Sequence, residues 1–84
     1  MDSEPMDRDI VLYVTPLCAP CERIKAYLRS RGVAFAVKDL MMDADAAEFL
    51  ESRNIRSSPV LRVGDDILAG VTLNTEKIDS LLGL

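Results

Sequence analysis

The strongest constraint in this sequence is the run Ile10-Val-Leu-Tyr-Val14, five consecutive residues with no strongly polar side chain. A short β-branched and aromatic run suits a strand, and this one has no face to give to water. Both faces therefore need cover, and helices packed on the two sides of a sheet provide it.

The rest of the chain supplies those helices. Thr15-Pro-Leu-Cys-Ala-Pro-Cys21 breaks the strand with two prolines, and Pro20 fits the first turn of a helix, where its missing N–H costs nothing. Cys21, Ile24 and Leu28 recur at helical spacing with Tyr27 alongside, and Gly32 gives a C-terminal stop, so a helix is predicted over about 19–31. Phe35 and Val37 alternate with Ala34, Ala36 and Lys38 in a second strand near 34–39. Asp45 followed three residues later by Glu48 resembles a capping box, opening a helix with Ala46, Phe49 and Leu50 inward and its end near Arg53-Asn54. Pro59 can begin a strand but not sit within a central one. Val60–Val63 and Ile67–Ala69 flank Gly64-Asp65-Asp66 as a hairpin. Asn74 caps a last helix whose Ile78, Leu81 and Leu82 face inward, with Leu73 and Ile78 as a hydrophobic staple.

The predicted order is β-α-β-α-β-β-α, an α/β fold with a right-handed parallel first unit and an antiparallel closing hairpin. At 84 residues the chain holds one domain, 9–84, behind a short frayed lead at 1–8. Met41-Met42 are expected to pack under their loop, and Glu22, Arg23 and Lys25 to form a solvated helix face.

Charge and residue counts narrow the chemistry. Ten basic against 14 acidic residues give a net charge of −4, and two Tyr, two Phe and no Trp leave no stacking platform, which argues against nucleic acid as a partner. With no histidine there is no Ser/His/Asp triad, no Cys–His pair and no His-containing zinc site, and two cysteines cannot close a structural zinc site alone. The longest apolar runs, Ile10–Val14 and Val33–Val37, are five residues each, far short of the about twenty of a membrane helix. The acidic start, Met1-Asp-Ser-Glu4, is unlike a secretory signal, so a cytoplasmic monomer with reduced thiols is expected.

Cys18-Ala-Pro-Cys21 falls where the first strand hands over to the first helix. A helix N-terminus offers unpaired N–H groups and the positive end of the dipole, both of which stabilise a thiolate. Cysteines so placed titrate at about 3.5–7.5 instead of about 8.5. The thiolate is the attacking species in thiol–disulfide exchange. Two intervening residues let the second thiol reach the first sulfur, so Cys18 is expected to be the exposed nucleophile and Cys21, on the apolar stripe with Ile24, the buried resolving thiol. A structural disulfide is a poor alternative, because so short a loop removes little chain entropy. The motif in this context reads as a thioredoxin-like redox site.

Residues 9–82 resemble a glutaredoxin, within the thioredoxin-fold superfamily. Tyr13-Val-Thr-Pro-Leu-Cys-Ala-Pro-Cys21 is similar to the family's strand-to-active-site segment, Ser57-Ser58-Pro59-Val60 to its Thr-Val-Pro, and Gly70 to the second glycine after its hairpin. The resemblance implies a four-stranded mixed sheet in the order 2-1-3-4, with the first and third helices on one face and the second on the other. It implies a cis Pro59 facing the cysteines and a Ser58 backbone free to pair with an extended substrate. Leu17 replaces the Trp usual in thioredoxins proper. Two departures concern glutathione: Thr15 stands where many glutaredoxins have Lys, and Val71-Thr72 where the family has Cys-Asp or Ser-Asp. Each missing charge-assisted hydrogen bond is worth about 1.5–3 kcal/mol, enough to weaken glutathione binding by one or two orders of magnitude. Arg56, three residues before Pro59, is a candidate for a substrate carboxylate. The implied substrate and glutathione contacts are thus Thr15, Pro20, Arg56, Ser58, Pro59, Gly70, Val71 and Thr72.

The function expected is thiol–disulfide exchange on protein disulfides or glutathione mixed disulfides, with no bound cofactor and with glutathione or a thioredoxin-reductase-type protein as reductant. A Cu(I) carrier is the alternative from another class. Its usual pattern, β-α-β-β-α-β, ends in a strand and has no helix between strands two and three. An iron–sulfur cluster shared by two chains, each giving Cys18, with glutathione as the other ligand, is a third, and Pro20 stands against it.

Overall fold

The computed structural model describes residues 10–84; the lead assigned to residues 1–8 lies outside them. The elements are β1 (Ile10–Val14), α1 (Ala19–Ser30), β2 (Ala36–Asp39), α2 (Ala44–Glu51), β3 (Val60–Val63), β4 (Asp66–Ala69), a 3₁₀ turn (Gly70–Thr72) and α3 (Thr75–Leu82). The strands form one sheet in the order β2-β1-β3-β4. The β1–β2 pair is parallel and the other two are antiparallel, with Leu12 opposite Val37 on one side and Leu61 on the other. This is the thioredoxin-like arrangement that the family resemblance implies.

The pleat sorts β1 as its composition requires. Leu12 and Val14 join Leu61, Val63 and Leu68 against Cys21 and Leu28 of α1 and Ile78 of α3. Tyr13 points the other way, with Val60, onto Ala46 and Leu50 of α2. Leu12, Leu28, Leu50, Leu61 and Ile78 are fully buried, and each side chain so placed contributes about 1.5–3 kcal/mol relative to exposure. At the start of α3 the cap is the expected one. Asn74 accepts the Lys77 N–H at 2.9 Å, and Leu73 and Ile78 lie in one apolar cluster.

Several local expectations need correction. The cap of α2 is Asp43, whose extended backbone lets its carboxylate accept the Ala46 N–H at 3.0 Å; Asp45 sits inside the first turn, where its charge favours the helix dipole. That helix stops at Glu51 with Ser52 as C-cap, ahead of Arg53, and Asn54 takes a left-handed φ of 61° that reverses the chain. The second strand starts at Ala36 instead of 34, and the hairpin turn is Gly64-Asp65, since Asp66 pairs with Val63. Met41 and Met42 do not pack under their loop. Their N–H groups bond to the Asp39 carboxylate and carbonyl in a tight turn that leads to Asp43, which leaves both side chains in solvent. No helix among the described residues is long and apolar enough to cross a membrane.

Candidate active site

The site forms where α1 begins. Val14 ends β1, Thr15 stays half-buried, Pro16 is exposed, and Leu17 takes a left-handed φ of 55° with its side chain fully exposed. A β-carbon in that region costs about 1 kcal/mol, and nothing covers the leucine to offset it. Cys18 follows in extended backbone as the N-cap of α1. Its Sγ takes the capping position usually held by oxygen and accepts the Cys21 N–H at 3.1 Å. The Cys18 backbone carbonyl meanwhile accepts from Glu22 N–H at 3.2 Å. Pro20, in the first turn, has no N–H to leave unpaired.

The two sulfurs are joined in a disulfide across a Cα–Cα distance of 5.2 Å. Their surroundings differ sharply. Cys21 is 1 % exposed, inside the core with Leu12, Val14, Leu28 and Ile78, whereas Cys18 is half-buried at the rim of that cluster. When the bond opens, the N–H of Cys21 and the positive end of α1 both favour a thiolate at Cys18. Burial among apolar side chains favours the neutral thiol at Cys21.

Two hydroxyls extend this array. Ser58 Oγ lies 3.9 Å from Cys18 Sγ and 2.8 Å from Thr15 Oγ1, so strand end, cysteine and the segment before β3 are linked side chain to side chain. The Ser58–Pro59 bond is cis and Pro59 is buried.

A cavity of about 330 Å³ opens between these pieces. Pro20, Arg23 and Ile24 form its α1 wall; Ser57, Ser58 and Pro59 form a second; Gly70 and Leu73 close the third. Gly70 has a φ of 59°, which suits glycine, and a β-carbon there would meet no other atom, so the requirement is conformational and not one of space.

The remaining candidates lie elsewhere or are already engaged. Arg56 lines a neighbouring cavity of about 300 Å³ with Leu40, Leu50, Glu51 and Ile55, and Ser57 is shared between the two cavities. Thr72 does not start the last helix. Its hydroxyl accepts the Ala69 N–H at 3.0 Å and donates to the Ala69 carbonyl at 2.7 Å, closing the 3₁₀ turn, and α3 begins three residues later. Val71 is 93 % exposed and lines neither cavity. Thr15 faces Ser58, not open solvent. Arg23, Ile24, Ser57 and Leu73 also line the cavity, and none of them is among the contacts the sequence implies. The available signal was spacing, because Pro20, Arg23 and Ile24 lie one helical turn apart on one side of α1. Among the described residues no group of three or more His, Cys, Asp or Glu side chains is placed to hold a metal ion, so the protein donors available at this site are the two thiolates.

Comparison with known proteins agrees with this geometry. Residues 10–68 match the glutaredoxin family. An uncharacterised glutaredoxin-like 8.6 kDa protein of the rubredoxin operon of Clostridium pasteurianum is 31% identical over 74 residues, covering 87% of this chain and 96% of the relative. The glutaredoxin-like protein NrdH of Salmonella typhimurium is 32% identical over 56 residues, covering 67% and 69%. Among solved structures, the thioredoxin-like protein BC3987 superposes with a TM-score of 0.77 at 30% identity, covering 87% of this chain and 99% of that one. The NrdH-redoxin of Escherichia coli superposes with a TM-score of 0.73 at 26% identity, covering 90% and 93%. The fold, the paired cysteines at the start of α1 and these matches together make the chain a glutaredoxin-like redox protein, a member of the glutaredoxin family.

Proposed function

We propose that the protein is a dithiol oxidoreductase that reduces protein disulfides through Cys18 and Cys21, in a reducing compartment such as the cytoplasm. The observation that carries this reading is the asymmetry of the pair: Cys18 caps a helix half-buried at the rim of the core, and Cys21 lies 1 % exposed inside it. In the forward reaction the Cys18 thiolate attacks one sulfur of the substrate disulfide, and the other sulfur leaves as a thiolate. Cys21 then loses its proton to the departing thiolate and attacks Cys18, which releases the second substrate sulfur as a thiolate and leaves Cys18–Cys21 oxidised. Two electrons from a dithiol reductant reset the pair.

Ser58 Oγ, held by Thr15, is positioned to donate to the Cys18 sulfur as charge gathers on it. Protein disulfides are favoured over glutathione mixed disulfides for two reasons. Leu17, next to Cys18 in the chain, presents a fully exposed apolar side chain, which suits a protein surface. The charged contacts for the two ends of glutathione are also missing, since Thr15 and Thr72 spend their hydroxyls inside the protein. A protein reductase is the electron source in this reading, which the thioredoxin-like activity profile described for the similar NrdH-redoxin of Escherichia coli supports. The helix α2 between β2 and β3, and the closing α3, are absent from the usual copper-carrier pattern, so the Cu(I) alternative loses its support.

Two assays test the proposal. Turnover with thioredoxin reductase should exceed turnover with glutathione and glutathione reductase; the reverse ranking contradicts it. Cys21→Ser should accumulate a stable mixed disulfide with a protein substrate, and Cys18→Ser should form none. Full turnover of Cys21→Ser on a protein disulfide would show the two-thiol route to be wrong.

A further inference from the structure

Two cavities meet along α1. The first, beside the cysteines, continues into a shallow trough of about 740 Å³ between α1 and α3, walled by Ala26, Tyr27, Asn74 and Thr75. Arg23 and Ile24 line both, so the two form one groove that passes over these side chains.

The charge along this groove has one sign. Arg23 is the one charged residue on either wall, and no carboxylate lines them. Its guanidinium is exposed and makes no ion pair or hydrogen bond among the described residues. Of the carboxylates in the flanking helices, Glu22 is paired with Lys25 at 2.9 Å, and Asp79 accepts the Tyr27 hydroxyl behind the trough wall and keeps its charge there. Glu76 lies in the first turn of α3 but lines neither cavity. Thr75 begins α3 on the trough wall, which puts the positive end of that helix there as well. The cavity on the other side of Ser57 differs, because Glu51 shares its wall with Arg56 and leaves no net charge preference.

Resting on the disulfide-reductase reading above, we infer that an extended segment of the oxidised partner protein lies along this groove with an acidic side chain on Arg23, so that the enzyme selects protein disulfides whose reactive cysteine has a carboxylate close by in the chain. Apolar side chains of the segment meet Ile24 and Leu73. Glutathione also carries carboxylates and Arg23 lines the first cavity, so what sets a longer chain apart is contact with the trough walls beyond it.

The test uses the full reduced chain and a set of peptides of one sequence. Each contains a single cysteine held as a mixed disulfide with thionitrobenzoate, and Asp, Asn or Lys is placed on either side of that cysteine. The Cys18 thiolate attacks the peptide sulfur, thionitrobenzoate departs with the electron pair of the broken S–S bond, and Cys21 then displaces the peptide thiolate. The best-placed Asp peptide should exceed its Lys counterpart in kcat/KM by about tenfold at low salt, with the ratio falling as salt rises. Arg23→Gln should bring the ratio to about twofold or less, and Arg23→Glu should invert it, whereas Glu22→Gln should leave it in place. Ala26→Glu, which puts a carboxylate on the trough wall, should lower the rate on a long acidic peptide relative to the glutathione mixed disulfide by about threefold. Equal rates on Asp and Lys peptides, or a preference that survives Arg23→Gln, overturns the inference. An unchanged long-peptide ratio in Ala26→Glu overturns the part of it that runs through the trough. No turnover on any peptide overturns the oxidoreductase reading instead.

Discussion

On one face of the sheet Cys21 is packed among Leu12, Val14, Leu28 and Ile78; on the other, Tyr13, Ala46, Leu50 and Val60 close a core with no sulfur in it. Both faces draw on β1 and β3, and both exclude water equally well. The α2 face finishes in Phe49, whose ring stacks on Tyr13 with centroids 6.1 Å apart and carries the guanidiniums of Arg53 and Arg62 at 3.9 and 4.8 Å. These contacts hold structure and touch no reacting atom. On the α1–α3 face the Cys21 sulfur is itself part of the core, so in the proposed mechanism packing and redox chemistry share atoms. Equal losses of apolar volume on the two faces should therefore cost similar stability and unequal chemistry.

The most severe break comes at the attacking sulfur. Cys18→Ser should abolish turnover on every disulfide, as followed by insulin reduction, while substitutions on the α2 face that still fold should retain it. Next are the paired core truncations. Leu28→Ala and Leu50→Ala should each lose about 2–5 kcal/mol in denaturant unfolding, since both side chains are fully buried. Only Leu28→Ala should also speed alkylation of Cys21 in the folded, reduced protein; an equal gain in Leu50→Ala would erase the distinction between the faces. A smaller effect is expected at the hydroxyl pair. Ser58→Ala removes the group 3.9 Å from Cys18 Sγ and should slow alkylation of Cys18 near neutral pH by about fivefold, worth about 1 kcal/mol.

The smallest concerns Tyr27, which ties α1 to α3 by donating to Asp79. That hydrogen bond, then burial and the carboxylate's charge, raise the Tyr27 phenol above its ordinary value of 10.0, against a lowering by Arg31. A raised value means that the folded chain holds the proton more tightly than the unfolded one. The stabilisation is thus fully present below pH 10 and lost as the pH climbs through the raised value. Thermal unfolding of Tyr27→Phe should show a weaker pH dependence there than the parent.

Much of this arrangement was legible in the residues, and the reasons are local. Apolar continuity in Ile10–Val14 demanded cover on two faces, Asn74 and Leu73 announced the last helix, and the cysteine spacing put one sulfur on the buried stripe. What escaped depended on competition or on distance. Asp43 and Asp45 are both good caps, and the choice fell to the one whose backbone the Asp39 turn holds extended. Thr72 falls where the family has Asp, yet its hydroxyl closes a turn on Ala69. The Thr15–Ser58 contact joins residues 43 positions apart, which no periodicity reports. Arg23 looks like an ordinary solvated charge in the sequence because the cavity it lines takes its other walls from Ser58, Gly70 and Leu73 elsewhere in the chain.

The central claim is that one helix start creates two unlike thiols, and pH-resolved alkylation measures that directly. The fully reduced protein would be treated with iodoacetamide at a series of pH values, and each cysteine followed by peptide mass spectrometry. Cys18 should be modified readily at about pH 6.5, with Cys21 slower by more than about tenfold, because one sulfur accepts a backbone N–H at a helix start and the other lies in the core. Equal rates at that pH, or faster modification of Cys21, would contradict the assignment of attacking and resolving sulfur on which the whole mechanism stands.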